Sequence, residues 1–330
     1  MPPDRPFALL IAGPTASGKS DLALALAERL NGTIINTDSM QVYRELRILT
    51  ARPTPAEEAR IPHRLYGIRL AAEAGSVAWW RAQALAAMDE THAQGRLPIL
   101  TGGSGMYFAS LTGGLAEIPD PGPAARDEAR RLLADQGPEA LHASLAKVDP
   151  ATAARLHPTD SQRISRGWEV WRGTGRGLAA WQSSRGAPAP WRFAAIRLDP
   201  PRASLRAAIA TRFTAMLARG AIAEVEALLA LNLDPALPAM RAHGVPELSA
   251  YLRGAISLAE AGRRTELVTG QYTKRQATWF RHHDLAGQAC THTIHARFTD
   301  LAQFSESERA GLRLVRKQQS HSDQRLECDY

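Results

Sequence analysis

Gly13-Pro14-Thr15-Ala16-Ser17-Gly18-Lys19-Ser20 reads G-x-x-x-x-G-K-[ST] in full. This is a phosphate-binding signature when a strand precedes it and a helix follows. Its glycines let successive backbone N–H groups turn inward on phosphate oxygens, and the start of the following helix adds favourable potential. Lys19 can reach a terminal phosphate, and the Ser20 hydroxyl can ligate a magnesium ion. The motif identifies phosphate, not which phosphate compound.

Asp38 follows a short apolar run, in Asp38-Ser39-Met40-Gln41-Val42-Tyr43. A carboxylate there faces the phosphate loop and can act as a general base; Asp and Ser are equally good helix N-caps, and spacing alone does not choose. Ser104, after a glycine pair, can bond a substrate or merely close a turn. Arg163 and Arg166 in Gln162-Arg163-Ile164-Ser165-Arg166 are three apart and share a helix face. Lys274-Arg275-Gln276-Ala277-Thr278-Trp279-Phe280-Arg281 interleaves cations with aromatics, a mixture suited to phosphate pairing and base stacking. For both basic segments the plain alternative is a solvated face.

The elements that must position these groups alternate. Phe7–Ala12 is a continuous apolar run, as a buried parallel strand should be. Residues 21–30 read as a helix with Leu22, Leu26 and Leu30 on one face, stopped by Asn31-Gly32. A second strand over 33–37 completes a parallel α/β unit. Residues 75–95 predict a helix burying Trp79, Ala82, Leu85 and Ala86, and residues 97–101 a strand ending in Gly102-Gly103-Ser104-Gly105. In open α/β sheets ligands sit at the carboxyl ends of strands, so the loops at Gly13, Asp38 and Gly102 converge. From the break at 118–123 the chain reads as helices, strand character returns at 193–198, and helices follow over 203–231 and 257–283. The expectation is an α/β, P-loop NTPase-like parallel sheet core flanked by helices (1–120 and 191–285). A mainly helical insertion occupies 121–190, and the tail 286–330 is assigned no chemistry.

The chain has 330 residues, 45% of them hydrophobic, with 40 Lys and Arg against 33 acids and a net charge of +7. That suffices for one large or two modest cores and suits a polyanionic partner without requiring one. Cys290 and Cys328 form no CxxC pair, so no zinc signature is present. The first apolar stretch is too short for a signal peptide or membrane span. A cytoplasmic, monomeric protein is expected.

Taken in order, residues 13–20, 38–43, 51–53, 62–64, 102–107, 157–166 and 271–281 resemble the bacterial tRNA dimethylallyltransferase (tRNA isopentenyltransferase) family. Asp-Ser-Met-Gln-Val-Tyr and Lys-Arg-Gln-x-Thr-Trp-Phe-Arg are the most specific of these blocks. The resemblance implies transfer of the dimethylallyl group from dimethylallyl diphosphate to the N6 amine of the adenosine 3′ of the anticodon, with magnesium. It implies diphosphate binding at Thr15–Ser20, a general base at Asp38, a catalytic hydroxyl at Ser104 and a diphosphate-contacting arginine at Arg212. It implies contacts to the tRNA anticodon stem-loop from Asp38, Ser39, Met40, Gln41, Ser104, Arg126, Gln162, Arg163, Ile164, Ser165, Arg166, Arg241, Lys274, Arg275, Gln276, Trp279 and Arg281. The chain departs from the family pattern at Ser104, usually Thr, at Leu49, usually Gly, and at Val245-Pro246. A small-molecule kinase, an isopentenyltransferase acting on free adenine nucleotides, and a non-catalytic RNA-binding module remain as rivals.

Overall fold

In the computed structural model, residues 5–184, 186–299 and 309 are described. The chain divides into two compact units, 1–112 with 189–330, and 113–188. The first unit opens with β1 (Phe7–Ala12), α1 (Lys19–Arg29), β2 (Gly32–Asn36), α2 (Pro55–Arg60), β3 (His63–Arg64), α3 (Val77–Ala93), β4 (Leu97–Gly102) and α4 (Gly105–Thr112). The second unit holds α5 (Gly122–Val148), α6 (Pro150–Ala153), α7 (Ser161–Thr174) and α8 (Leu178–Gln182). The first then resumes with β5 (Arg192–Leu198), α9 (Arg202–Ala218), α10 (Ala221–Leu229), α11 (Val245–Leu252), α12 (Leu258–His282) and β6 (Thr291–Ile294).

Six parallel strands form one sheet in the order β3-β2-β4-β1-β5-β6. Ile34 lies beside Ile99, and Leu9 beside Ile99 and Ala194, so the strand ends are level. Every residue of β1, β2 and β4 is buried, as an apolar sheet covered on both faces requires. One face packs on a cluster including Leu10, Trp80, Phe108 and Phe280, the other on one including Leu9, Leu22, Leu26 and Ile196. No described helix is long and apolar enough to cross a membrane.

Four expectations shift. The second compact unit starts at residue 113, where an insertion was expected from 121, and the Gly186 N–H donates to the Leu115 carbonyl at 3.0 Å between its two ends. Helix α3 turns Trp80, Ala84, Ala87 and Met88 inward and leaves Ala82 and Ala86 exposed. The small alanines gave a weak phase signal, and the larger Trp80 and Met88 fix the face. The helix expected over 203–231 breaks at Gly220, whose φ of 98° is left-handed. The segment after residue 286 is not all tail: β6 pairs with β5 from Ala195↔Thr291 to Leu198↔Ile294. Two of the family departures meet in the core. Leu49 and Val245 are buried in one cluster, and a Cβ on Gly244 would stand 2.8 Å from the Leu49 Cδ2.

Candidate active site

The loop between β1 and α1 is held open by two left-handed residues, Ala16 (φ 66°) and Gly18 (φ 87°). The Ser17 N–H closes it onto the Pro14 carbonyl at 3.2 Å. Lys19 Nζ folds back to the same carbonyl at 3.3 Å. Burial pushes the Lys19 ammonium down to about 8; Asp38 opposes this, Arg212 adds to it and Asp21 opposes it. Ser20 is exposed at the first turn of α1. Among the described residues no three His, Cys, Asp or Glu converge as a metal cage. The Ser20 hydroxyl is a hard oxygen of the kind that would suit magnesium, an ion that takes few protein ligands.

Asp38 stands one residue beyond Thr37, past the end of β2. The buried Asn36 side chain fixes its backbone from both sides. Asn36 Oδ1 accepts the Asp38 N–H at 2.8 Å, while Nδ2 donates to the Asp38 carbonyl at 2.9 Å and the Leu65 carbonyl at 3.1 Å. Asp38 Oδ1 accepts the Met40 N–H at 2.9 Å, an Asx turn. No helix follows it, since α2 starts only at Pro55, so the carboxylate is not a helix cap. Oδ2 faces Gly103, where a Cβ would stand 3.5 Å away.

β4 delivers the opposite wall. A Cβ on Gly102 would lie 2.0 Å from the Thr37 carbonyl, so only glycine lets the two strand ends close. The Ser104 N–H donates to that carbonyl at 3.1 Å. Ser104 Oγ accepts the Ser39 N–H at 2.9 Å and donates to Ser39 Oγ at 3.2 Å. The hydroxyl therefore holds the Asp38-Ser39 turn in place. From α9, Arg212 reaches the Thr50 carbonyl at 3.5 Å, and Gln41 Nε2 donates to Thr50 at 2.8 Å and Ala51 at 3.0 Å. Burial lowers the Arg212 pKa, and Asp38 is the leading charge opposing it. Asp38 thus opposes the lowering of both the Lys19 and the Arg212 pKa.

Sequence reading gave Tyr66, Tyr107 and Tyr272 no role of their own, yet each feels the Asp38 carboxylate. Burial raises the phenol pKa of Tyr66, Tyr107 and Tyr272, the last to about 12, with Asp38 the next cause in each. Burial also lowers His243, which meets Tyr272 edge-on at 4.9 Å. Tyr107 stacks on Trp80 at 4.1 Å. The only signal for Tyr107 and Tyr272 was their place inside or beside the 102–107 and 271–281 blocks.

Along α12, Lys274, Arg275 and Arg281 are exposed, and Arg281 pairs with Asp199 at 3.4 Å. Trp279 is half-buried, lies against Gly105 and stacks on His283 at 4.1 Å. Arg241 is exposed, whereas Ser39 and Met40 are partly buried. Gln276, expected to face tRNA, is buried with both ends of its amide engaged inside the protein. In the second unit, Arg126 pairs with Asp120, Arg163 with Asp160 at 3.4 Å and Arg166 with Glu169 at 3.3 Å; Gln162 is exposed. Ile164 is fully buried with Leu141 and Leu145, and Ser165 Oγ is buried without a hydrogen-bond partner. Neither Ile164 nor Ser165 presents its side chain to an RNA; the 3.6-residue repeat turns both inward between the arginines.

The family model described as IPP transferase matches residues 41–283. The chain belongs to the IPP transferase family. It is 63% identical to the tRNA dimethylallyltransferase of Granulibacter bethesdensis over 306 residues, 92% of this chain and 96% of that one. The full-length tRNA isopentenylpyrophosphate transferase of Bacillus halodurans is similar with a TM-score of 0.67 and 30% identity, over 97% and 99% of the two chains. A eukaryotic dimethylallyltransferase solved acting on tRNA is similar with a TM-score of 0.77 and 26% identity, over 92% and 77%. In this IPP transferase the phosphate loop lies before the matched stretch, on the sheet that also carries Asp38.

Proposed function

We propose that this IPP transferase moves the dimethylallyl group of dimethylallyl diphosphate onto the N6 amine of the adenosine immediately 3′ of the anticodon in tRNA, releasing diphosphate. The observation that carries the reading is the meeting of two strand-end loops: Asp38 Oδ2 faces Gly103, and the Gln276 amide joins the Gly103 carbonyl to the Thr15 N–H of the loop before Lys19, while Asp38 opposes the lowering of both the Lys19 and the Arg212 pKa. The names of its relatives support the same reaction.

The exocyclic amine is a poor nucleophile because its lone pair is delocalised into the ring. Asp38 Oδ2 takes the N6 proton as the N6–carbon bond forms, a contribution typically worth about 10²–10⁴-fold. The allylic carbon–oxygen bond breaks with its electron pair passing to diphosphate. Lys19, Arg212 and the amides at the start of α1 stabilise the charge that grows there. The Ser20 hydroxyl would hold a magnesium ion, which would supply further positive charge near the leaving group. The adenine reaches Asp38 by leaving its stack. Arg126, Arg163, Arg166, Arg241, Lys274, Arg275 and Arg281 supply phosphate contacts to the anticodon stem-loop. The enzyme works as a cytoplasmic monomer.

Purified protein given labelled dimethylallyl diphosphate, ATP, magnesium and either total tRNA or AMP tests the reading. Label entering tRNA is the expected result. Label in AMP, or ATP hydrolysis without prenyl transfer, would replace it with one of the rival activities.

A further inference from the structure

We infer that Gln276 is a positioning residue: its side-chain amide ties the diphosphate loop at Thr15 to the wall at Gly103, fixing the donor against Asp38. This rests on the proposed function for the identity of the donor. Gln276 Oε1 accepts the Thr15 N–H at 2.8 Å, and Nε2 donates to the Gly103 carbonyl at 3.0 Å. The residue is 4% exposed, so neither bond competes with water. Its partners stand 261 and 173 residues away in sequence, on the loop after β1 and at the end of β4. Tyr272 stands one turn earlier on α12, and the Gln276 side chain acts against the upward shift that burial imposes on its phenol.

The fit is tight on the Gly103 side. A Cβ there would sit 2.1 Å from Gln276 Nε2 and 3.5 Å from Asp38 Oδ2. Gln276 and the base therefore border the same glycine. On the loop side, Pro14 has no N–H, the Thr15 N–H goes to Gln276, and the Ser17 N–H goes to the Pro14 carbonyl. The amides of Gly18, Lys19 and Ser20 at the start of α1 are left to face a diphosphate. An amide satisfied at both ends cannot reach RNA without breaking these bonds. Gln276 accordingly acts through the donor, while its neighbours Lys274 and Arg275 present their charges on the exposed side of the same helix.

Gln276→Met keeps the length and removes both hydrogen bonds. Three quantities are measured: affinity for inorganic pyrophosphate by calorimetry, kcat and KM for dimethylallyl diphosphate, and Kd for tRNA. Pyrophosphate affinity and kcat should each fall roughly five- to tenfold, the weight of one or two such bonds, with tRNA Kd unchanged within about twofold. Gly103→Ala, whose methyl displaces the amide without altering Gln276, should reproduce the pyrophosphate loss, and the double variant should be no worse than either single one. If Gln276→Met does not melt cooperatively, Gly103→Ala carries the test. A weakened tRNA Kd with pyrophosphate affinity and kcat intact would overturn the inference, as would wild-type pyrophosphate binding in Gly103→Ala. Pyrophosphate binding needs no acceptor, so a wild-type protein that binds it but prenylates nothing would sink the functional reading alone.

Discussion

Arg297 donates its Nε–H to the backbone carbonyl of Ala16 at 2.9 Å. The next residue repeats the contact, with the Phe298 N–H donating to the Ser17 carbonyl at 3.0 Å. A Cβ on Gly18 would lie 2.3 Å from the Phe298 carbonyl, so the strap after β6 fits the loop only because residue 18 is glycine. Both bonds take loop carbonyls, so neither uses the N–H groups of Gly18, Lys19 and Ser20. Arg297 also opposes the upward shift that burial and Glu57 impose on Asp21. Arg297→Ala should cost about 1 kcal/mol of loop order, read as roughly fivefold weaker pyrophosphate binding with tRNA Kd unchanged. Equal pyrophosphate affinity in the variant would reduce the strap to packing.

That strap shows where sequence reading stops. The loop at 13–20 is legible because glycine, lysine and serine must follow one another within eight positions, all set by local geometry. Strand β6 is four residues long, three of them only partly buried, so it has no apolar run to announce it; its register is imposed by β5. Gln276 and Ile164 failed for another reason. A resemblance transfers a contiguous block, whereas a helix turns each successive side chain by 100°. Gln276 lies in a charged block yet faces inward, and only the positions of Thr15 and Gly103 reveal why.

Lys19 sets the pH dependence of donor binding. Its folded-state pKa is lowered to about 8, so the ammonium is present below that pH and lost above it, well before an ordinary lysine would discharge. Pyrophosphate affinity in the absence of metal should fall as pH rises through about 8, and binding there should take up protons, because the anion favours the charged lysine. Calorimetry in buffers of different ionisation heat reads the uptake directly. Lys19→Arg stays charged, and comparison with it cancels the titration of the ligand itself. A profile for the wild type that parallels Lys19→Arg between pH 7 and 9 would contradict the shift.

Asp38→Asn separates chemistry from architecture. The amide oxygen can still accept the Met40 N–H that Oδ1 holds now, so the turn survives while the base is removed. Turnover should drop about 10²–10⁴-fold, with tRNA Kd within about twofold. The same variant deletes the leading charge that keeps Lys19 protonated. The Lys19 transition in pyrophosphate binding should therefore move to lower pH than in the wild type. Turnover near the wild-type value would remove Asp38 from the reaction. An unmoved transition would break its link to Lys19.

Arg163 and Ile164 are neighbours in α7 with opposite fates, and they test the face of the second unit. Arg163 has 74% of its side chain exposed and pairs with Asp160, one turn away. Such a pair is worth little in water, so the arginine is available to a phosphate. Ile164 is fully buried in the cluster of Leu141, Leu145 and Ala153. Arg163→Ala should leave the melting temperature nearly unchanged, weaken tRNA, and reduce the slope of log Kd against log salt by about one contact. Ile164→Ala should do the reverse: about 2–5 kcal/mol of stability lost to the cavity, and an unaltered salt slope in whatever fraction stays folded. A changed slope in Ile164→Ala with normal stability would mean that α7 presents the other face to RNA, since one side chain cannot both fill the core and meet a phosphate.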